Sequence, residues 1–255
     1  MIYVILFIFG IVFGSFYNVV GLRLAKEESI LFPPSHCPNC NHQLMFYDLI
    51  PLFSYLFLKG KCRYCSKHIS IKYPLFEFLT GILFILSYLK FGFSFDFIIS
   101  IILCSTLIII TVSDLDSYII PDSVLIVSFV LIFGLYIYKY KTFAFDHLMS
   151  GIFAFAGMYA LKMLGNFIFK RESMGDGDIK LMALVGMVIG LKKTVLSLFL
   201  AAYLGLPYAI YIMIKKDPNH ELPFGPFLVA GFFILFLFKI DINTVYNFLL
   251  NLWNI

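Results

Sequence analysis

The chain has 255 residues, of which 61% are hydrophobic and only 13% charged, with a net charge of +4. A soluble domain could not cover that much apolar surface, because exposed apolar patches on soluble monomers stay small. The slight positive charge lies in loops, where it bears on topology and gives no reason to expect a nucleic-acid partner. This composition predicts an all-α polytopic membrane protein.

The first apolar run, about residues 2–22, reads "IYVILFIFGIVFGSFYNVVGL". It lacks a basic leading region and a small-residue cleavage site, so it is expected to be a retained span and not a signal peptide. Residues 23–73 follow as the only sizeable non-spanning piece. Further apolar runs fall at about 74–90, 95–113, 123–138, 146–169, 179–191, 194–214 and 226–239, giving about eight transmembrane helices in all, the sixth and eighth of them short. The tail "INTVYNFLLNLWNI" is amphipathic and suits the membrane interface. No internal repeat is evident. With the N-terminus outside, twelve Lys and Arg lie in inside loops against six in outside loops, which places residues 23–73 in the cytoplasm. The expected division is a first transmembrane helix (1–22), a cytoplasmic segment (23–73) and a transmembrane domain (74–255).

The 23–73 segment carries "CPNC" at Cys37–Cys40 and "CRYC" at Cys62–Cys65, with 21 residues between the pairs. Paired C-x2-C elements at this spacing mark a tetrahedral four-cysteine zinc site: each tight turn supplies two thiolates. A pair of disulfides is the alternative, disfavoured on a reducing face. His36, His42 and His68 lie close by and are alternative ligands, or simply solvated loop residues. A site closed by four thiolates has no open position for catalysis. Its expected role is structural, because a segment of this size has little core of its own and metal binding supplies its folding energy. Cys104, inside an apolar run, reads as a small buried hydrophobe.

Two acidic loops remain. "TVSDLDSYIIPDS" holds Asp114, Asp116 and Asp122 between the third and fourth spans, and "ESMGDGDIKLM" holds Asp176 and Asp178 between the fifth and sixth. An even number of spans separates them, so both fall on one face. Asp122, between Pro121 and Ser123, suits an N-cap. Asp114 and Asp178, each taken alone, read as capping or solvated acids as readily as functional ones, but Asp114 stands at a helix C-terminus, where the dipole disfavours an acid, and this tilts the pair towards chemistry. Two carboxylates at one site share a proton: one activates water while the other protonates the carbonyl, as in aspartyl proteases. Glycines beside Asp178 allow close approach of a substrate backbone. Lys162 falls within the fifth apolar run and reads either as a functional charge with a partner or as a snorkelling side chain.

These motifs resemble those of the bacterial type 4 prepilin peptidases, a family of GxGD membrane aspartyl proteases. "GSFYNVVGLRL" (14–24) is similar to the N-terminal signature, the C-x2-C pairs follow, and "ISIKYPLFEFLTG" (69–81) resembles the entry to the second span. "DLDSYIIPD" (114–122) and "GDGDIKL" (175–181) resemble the two catalytic loops, and "PFGPFL" (223–228) the entrance to the last span. The resemblance implies Asp114 and Asp178 as the catalytic pair, with Asp176 at the variable position of GxGD. It implies a membrane endopeptidase that removes the short basic leader of prepilins or pseudopilins after a glycine. It also implies N-methylation of the new terminal residue from S-adenosylmethionine, with the enzyme in the bacterial cytoplasmic (inner) membrane and its active site at the cytoplasmic face. Asn18 and Glu77, polar positions near span ends, are open to a part in methyl transfer or to structural roles at the interface. Two other readings are a presenilin-like intramembrane protease and a non-enzymatic zinc-binding transporter. The first would place its aspartates deeper, and the second would place ionisable residues near the bilayer midplane.

Overall fold

The structure is a computed structural model that describes residues 1–215 and 222–238. The amphipathic tail expected at 242–255 lies outside the described residues. The elements are almost entirely helical: α1 (Ile2–Ala25), α2 (Phe53–Phe57), α3 (Lys72–Phe91), α4 (Phe95–Ser117), α5 (Asp122–Tyr140), α6 (Ala144–Phe169), α7 (Asp176–Ile189), α8 (Leu191–Lys215) and α9 (Gly225–Phe238). The eight expected apolar runs each fall on a helix, but among the described residues six helices (α1, α3, α4, α5, α6 and α8) are long and apolar enough to cross a membrane. The all-helical membrane architecture is as expected, with a helix count near the eight anticipated. α7 has 14 residues, or about 21 Å of helix, short of the roughly 30 Å hydrocarbon core, and α9 is described over Gly225–Phe238. α2 is a five-residue helix inside the cysteine segment.

The chain divides into two compact units between Pro121 and Asp122. In the first, α1 packs against α3 and α4, which also pack together. Small residues set the distance between α1 and its neighbours. A Cβ on Gly10 would stand 2.6 Å from the Gly81 Cα, one on Gly14 2.8 Å from Thr80 Oγ1, and one on Gly21 2.8 Å from the Ile109 carbonyl. Lipid gives helices no hydrophobic reason to associate, so close backbone packing of this kind does much of that work. Polar links join the same helices: the Tyr17 hydroxyl bonds Ser105 Oγ at 2.6 Å, and Asn18 Nδ2 donates to the Tyr73 carbonyl at 3.1 Å. Cys104 is fully buried, as expected of a small hydrophobe, though its thiol lies 3.5 Å from Ser87 Oγ.

In the second unit α7 packs against α5, α6, α8 and α9. Its buried residues run from Ile179 through Leu181, Met182 and Leu184 to Val188, on every side of the helix. Close approach to α6 again depends on small residues: an added Cβ on Gly186 would fall 2.6 Å from the Ala154 Cβ.

Candidate metal centre and acidic sites

The cysteine segment folds as two matched knuckles. In the first, the Cys37 amide donates to the His42 carbonyl (3.0 Å) and the Asn41 amide to the Cys37 carbonyl (2.8 Å). In the second, Cys62 donates to Lys67 (2.8 Å) and Ser66 to Cys62 (2.9 Å). Asn41 and Ser66, each four residues after its first cysteine, both adopt left-handed backbone, and an antiparallel bridge closes each knuckle, His36 to Gln43 and Lys61 to His68. The two C-x2-C pairs are thus matched in backbone path as well as in sequence.

The knuckles bring Cys37, Cys40, Cys62 and Cys65 together, with all four sulfurs within 4.8 Å of one another. Thiolates about 2.3 Å from a tetrahedral ion lie about 3.8 Å apart, and the Cys37 and Cys65 sulfurs are 3.8 Å apart. All four cysteines are free, so the disulfide alternative does not hold. The cluster can hold a metal ion with sulfur ligands alone. Burial opposes ionisation of Cys37, but the Asn39 and Cys40 amides and the neighbouring thiols outweigh it and lower its pKa to about 7. The Lys67 amide favours the Cys65 thiolate, but burial and hydrogen bonds with the other three cysteines push its pKa up to about 11. Cys37 thus loses its proton easily while Cys65 holds its own, as expected of thiols crowded where a cation would neutralise them. His36 and His42 are engaged elsewhere: His36 Nδ1 lies 3.1 Å from the Pro34 carbonyl, and His42 stacks on Tyr64 with ring centroids 3.6 Å apart.

A clip that the sequence reading missed joins the linker to the second knuckle. Arg63 Nε donates to Asp48 Oδ1 at 2.7 Å, and the Tyr64 hydroxyl donates to Asp48 Oδ2 at 3.2 Å. Burial works against the Asp48 charge, but Arg63, the Met45 amide and Tyr64 hold its pKa below the ordinary value. The available signal was that Asp48 is the only carboxylate between Cys37 and Cys65.

Below the knuckles, still within the first unit, is a cavity of about 300 Å³. Its walls include Ser15, Asn18, Leu52, Tyr55 and Glu77. Glu77, on α3, is 8% exposed, and the Leu52 amide donates to its Oε2 at 2.8 Å. Leu52 has φ 61° and ψ −51°, and the Phe53 amide bonds the Pro51 carbonyl across it at 2.7 Å. That is a positive-φ γ-turn, which a β-carbon makes strained.

The acidic residues lie at helix ends, as expected. Asp114 is buried in the last turn of α4, at 5% exposure. The Tyr118 amide donates to its carbonyl (3.0 Å), Tyr118 is left-handed, and Pro121 ends the loop. Ser113 Oγ donates to the Ile119 carbonyl and holds the same loop. Asp116 is exposed beside Lys26 (3.4 Å). Asp122 opens α5 and takes Lys180 Nζ at 2.7 Å on both oxygens, so it has an ion-pair partner in addition to its place at a helix start.

Asp178 lies in the first turn of α7, half-buried, with its Oδ2 over Gly175, the extended N-cap. The loop before it is strapped to α6: the Ser173 amide donates to Asn166 Oδ1 at 2.8 Å, and Ser173 Oγ donates to the Lys162 carbonyl at 3.2 Å. Lys162 Nζ reaches Asp176 Oδ1 at 2.6 Å, which supplies the partner its position called for. Asp114 belongs to the first unit and Asp178 to the second.

Two family models match in series. "Bacterial Peptidase A24 N-terminal domain" covers residues 8–91, and "Type IV leader peptidase family" covers residues 101–210. The chain is 34% identical to the prepilin leader peptidase/N-methyltransferase of Bacillus subtilis (strain 168), over 95% of this chain and 96% of that protein.

The chain belongs to the type IV leader peptidase family.

Other members are similar over most of their length. The prepilin leader peptidase/N-methyltransferase of Neisseria gonorrhoeae is 32% identical over 90% of this chain and 88% of its own. The type 4 prepilin-like proteins leader peptide-processing enzyme of Escherichia coli O78:H11 is 32% identical over 87% and 88%. No solved structure matches the chain. Within the family assignment, the N-terminal match takes in the knuckles, the cavity and Glu77, while the peptidase match takes in both acidic loops.

Proposed function

We propose that this multi-pass membrane protein is a prepilin peptidase. It cleaves the short leader of prepilins or pseudopilins after a glycine, in the bacterial cytoplasmic membrane and at the cytoplasmic face, and then N-methylates the new terminal residue. The observation that carries the reading is the similarity to a named prepilin leader peptidase/N-methyltransferase over 95% of the chain. Asp114 and Asp178 are the proteolytic pair. Negative charge is favoured at the start of α7 and disfavoured at the end of α4. This suits Asp178 to activate water and Asp114 to protonate the scissile carbonyl. Peptide hydrolysis by such a pair needs no metal, and the four cysteines hold zinc in a closed structural site.

S-adenosylmethionine would supply an electrophilic methyl group for the second reaction. The cavity under the knuckles fits a part in that step: its volume is at the lower end of small-molecule sites, its walls are largely apolar, and a buried carboxylate, Glu77, stands in the wall. The chain's part is to hold the new α-amine and free its lone pair.

The test is reconstitution of the full chain in bilayers with a leader-bearing prepilin peptide and S-adenosylmethionine. Mass spectrometry should find the leader removed after glycine and a methyl group added to the product. A protein that leaves the peptide whole, with zinc bound and the fold intact, is not a prepilin peptidase.

A further inference from the structure

Glu77 has no part in proteolysis as proposed, yet it is a carboxylate buried at 8% exposure in the wall of a cavity. Burying a carboxylate is unfavourable unless it is hydrogen-bonded. Here the Leu52 amide takes one oxygen, and Ser15 interacts with the same group. A carboxylate accepts about four hydrogen bonds, so capacity remains for a donor from the cavity. Among the described residues no lysine lines the cavity, and Arg23, His36 and Asp48, which do, are committed elsewhere: Arg23 to the carbonyls of Ser29, Ile30 and Pro33, His36 to the Pro34 carbonyl and Asp48 to Arg63.

The γ-turn at Leu52 is the second, independent observation. A β-carbon makes that conformation strained, and strain of this kind persists where the surroundings hold it. It aims the Leu52 amide at Glu77 and so fixes the carboxylate, while the apolar wall, including Leu22, Leu58 and Ile69, offers room for a hydrophobic side chain.

We infer that Glu77 is the receptor for the substrate's new α-ammonium group, holding it by a charge-assisted hydrogen bond and accepting its proton for methyl transfer. The inference rests on the methyltransferase reading above. The proton passes from the ammonium to the Glu77 carboxylate, which frees the nitrogen lone pair. The lone pair forms the new N–C bond as the methyl carbon's bond to the donor's sulfonium sulfur breaks, its electron pair leaving with sulfur. The positive charge lost by sulfur reappears on nitrogen, and the proton on Glu77 leaves to water. An amide in place of the carboxylate would still fill the space but could not accept the proton.

The test compares wild type with Glu77→Gln and Glu77→Asp, full-length and with zinc content verified. The probe is a short apolar peptide with a free N-terminal Phe, set against its N-acetylated form without methyl donor. Wild type should bind the free amine about tenfold more tightly than the acetylated peptide, as a charge-assisted contact requires. Glu77→Gln should lose that preference, and Glu77→Asp should restore part of it. With S-adenosylmethionine added, the residual Glu77→Gln rate should climb with pH through about 8, where the free amine deprotonates unaided. An undiminished amine preference in Glu77→Gln, or a methylation pH profile like that of wild type, overturns the role of Glu77 while leaving the methyltransferase reading intact. A wild-type enzyme that cleaves but never methylates overturns both.

Discussion

Lys162 Nζ lies 2.6 Å from Asp176 Oδ1. The lysine side chain is mostly covered and the aspartate mostly exposed, at 12% and 71%, so a long side chain from within α6 secures the first residue of α7. Two residues further on is Asp178. Lys162→Met should therefore lower the rate of leader cleavage by less than about tenfold, through looser placement of Asp178. Asp176→Asn should do the same, and the double variant should be no worse than either single one. Additive losses in the cleavage assay would mean that the pair does not act as a unit.

Asp114→Asn and Asp178→Asn should each lose several orders of magnitude in cleavage, because paired acid–base residues act together. Asp116→Asn and Asp122→Asn should lose far less: Asp116 is an exposed partner of Lys26, and Asp122 of Lys180. Expression and zinc content serve as fold controls. A dead Asp116→Asn beside an active Asp114→Asn would move the catalytic role within the same loop.

Metal retention should fall with acid. Thiols must lose protons to bind zinc, so affinity rises with pH and falls as protons compete. Dialysis of the purified protein against a chelator should strip the ion progressively faster as the pH drops below the Cys37 value of about 7. Cys62→Ser should retain little zinc at any pH. Zinc content that does not change with pH would argue against a thiolate site.

The Asp48–Arg63 clip should add to the acid sensitivity of the same segment. Asp48 titrates lower when folded than its ordinary 3.8, so its stabilising contribution is complete above that value and disappears as pH falls through the folded one. Arg63→Met should remove this contribution and speed zinc loss near neutral pH. Stopped-flow release to a chromogenic chelator would measure it.

Gly14→Val should separate α1 from α3. Its β-carbon alone would stand 2.8–3.0 Å from Thr80 and the Glu77 backbone. Overpacking of this kind costs typically 1–3 kcal/mol. Lower thermal stability in detergent, together with weaker binding of the free-amine peptide near Glu77, is the expected result.

Some of this was legible in the sequence because the information is local. Each C-x2-C pair encodes its own knuckle, and an apolar run encodes its own helix. Asp114 and Asp178 could be placed at helix ends because glycine, proline and the end of apolar periodicity mark those ends. Non-local partners were not legible: Glu77 meets an amide 25 residues earlier, and Lys180 meets a carboxylate 58 residues earlier. Nor does composition show that α7 stops short, since its apolar run looks like a span until helix length is measured against bilayer thickness.

The shortness of α7 bears on how the enzyme meets its membrane. Four helices of its own unit surround it, so protein and not lipid is its solvent. A helix in that position escapes hydrophobic mismatch. It can begin with Asp176, Asp178 and Lys180 because its first turn need not match any headgroup level. The height of Asp178 is thus inherited from the helices packed around α7, not from a match between its own length and the lipid.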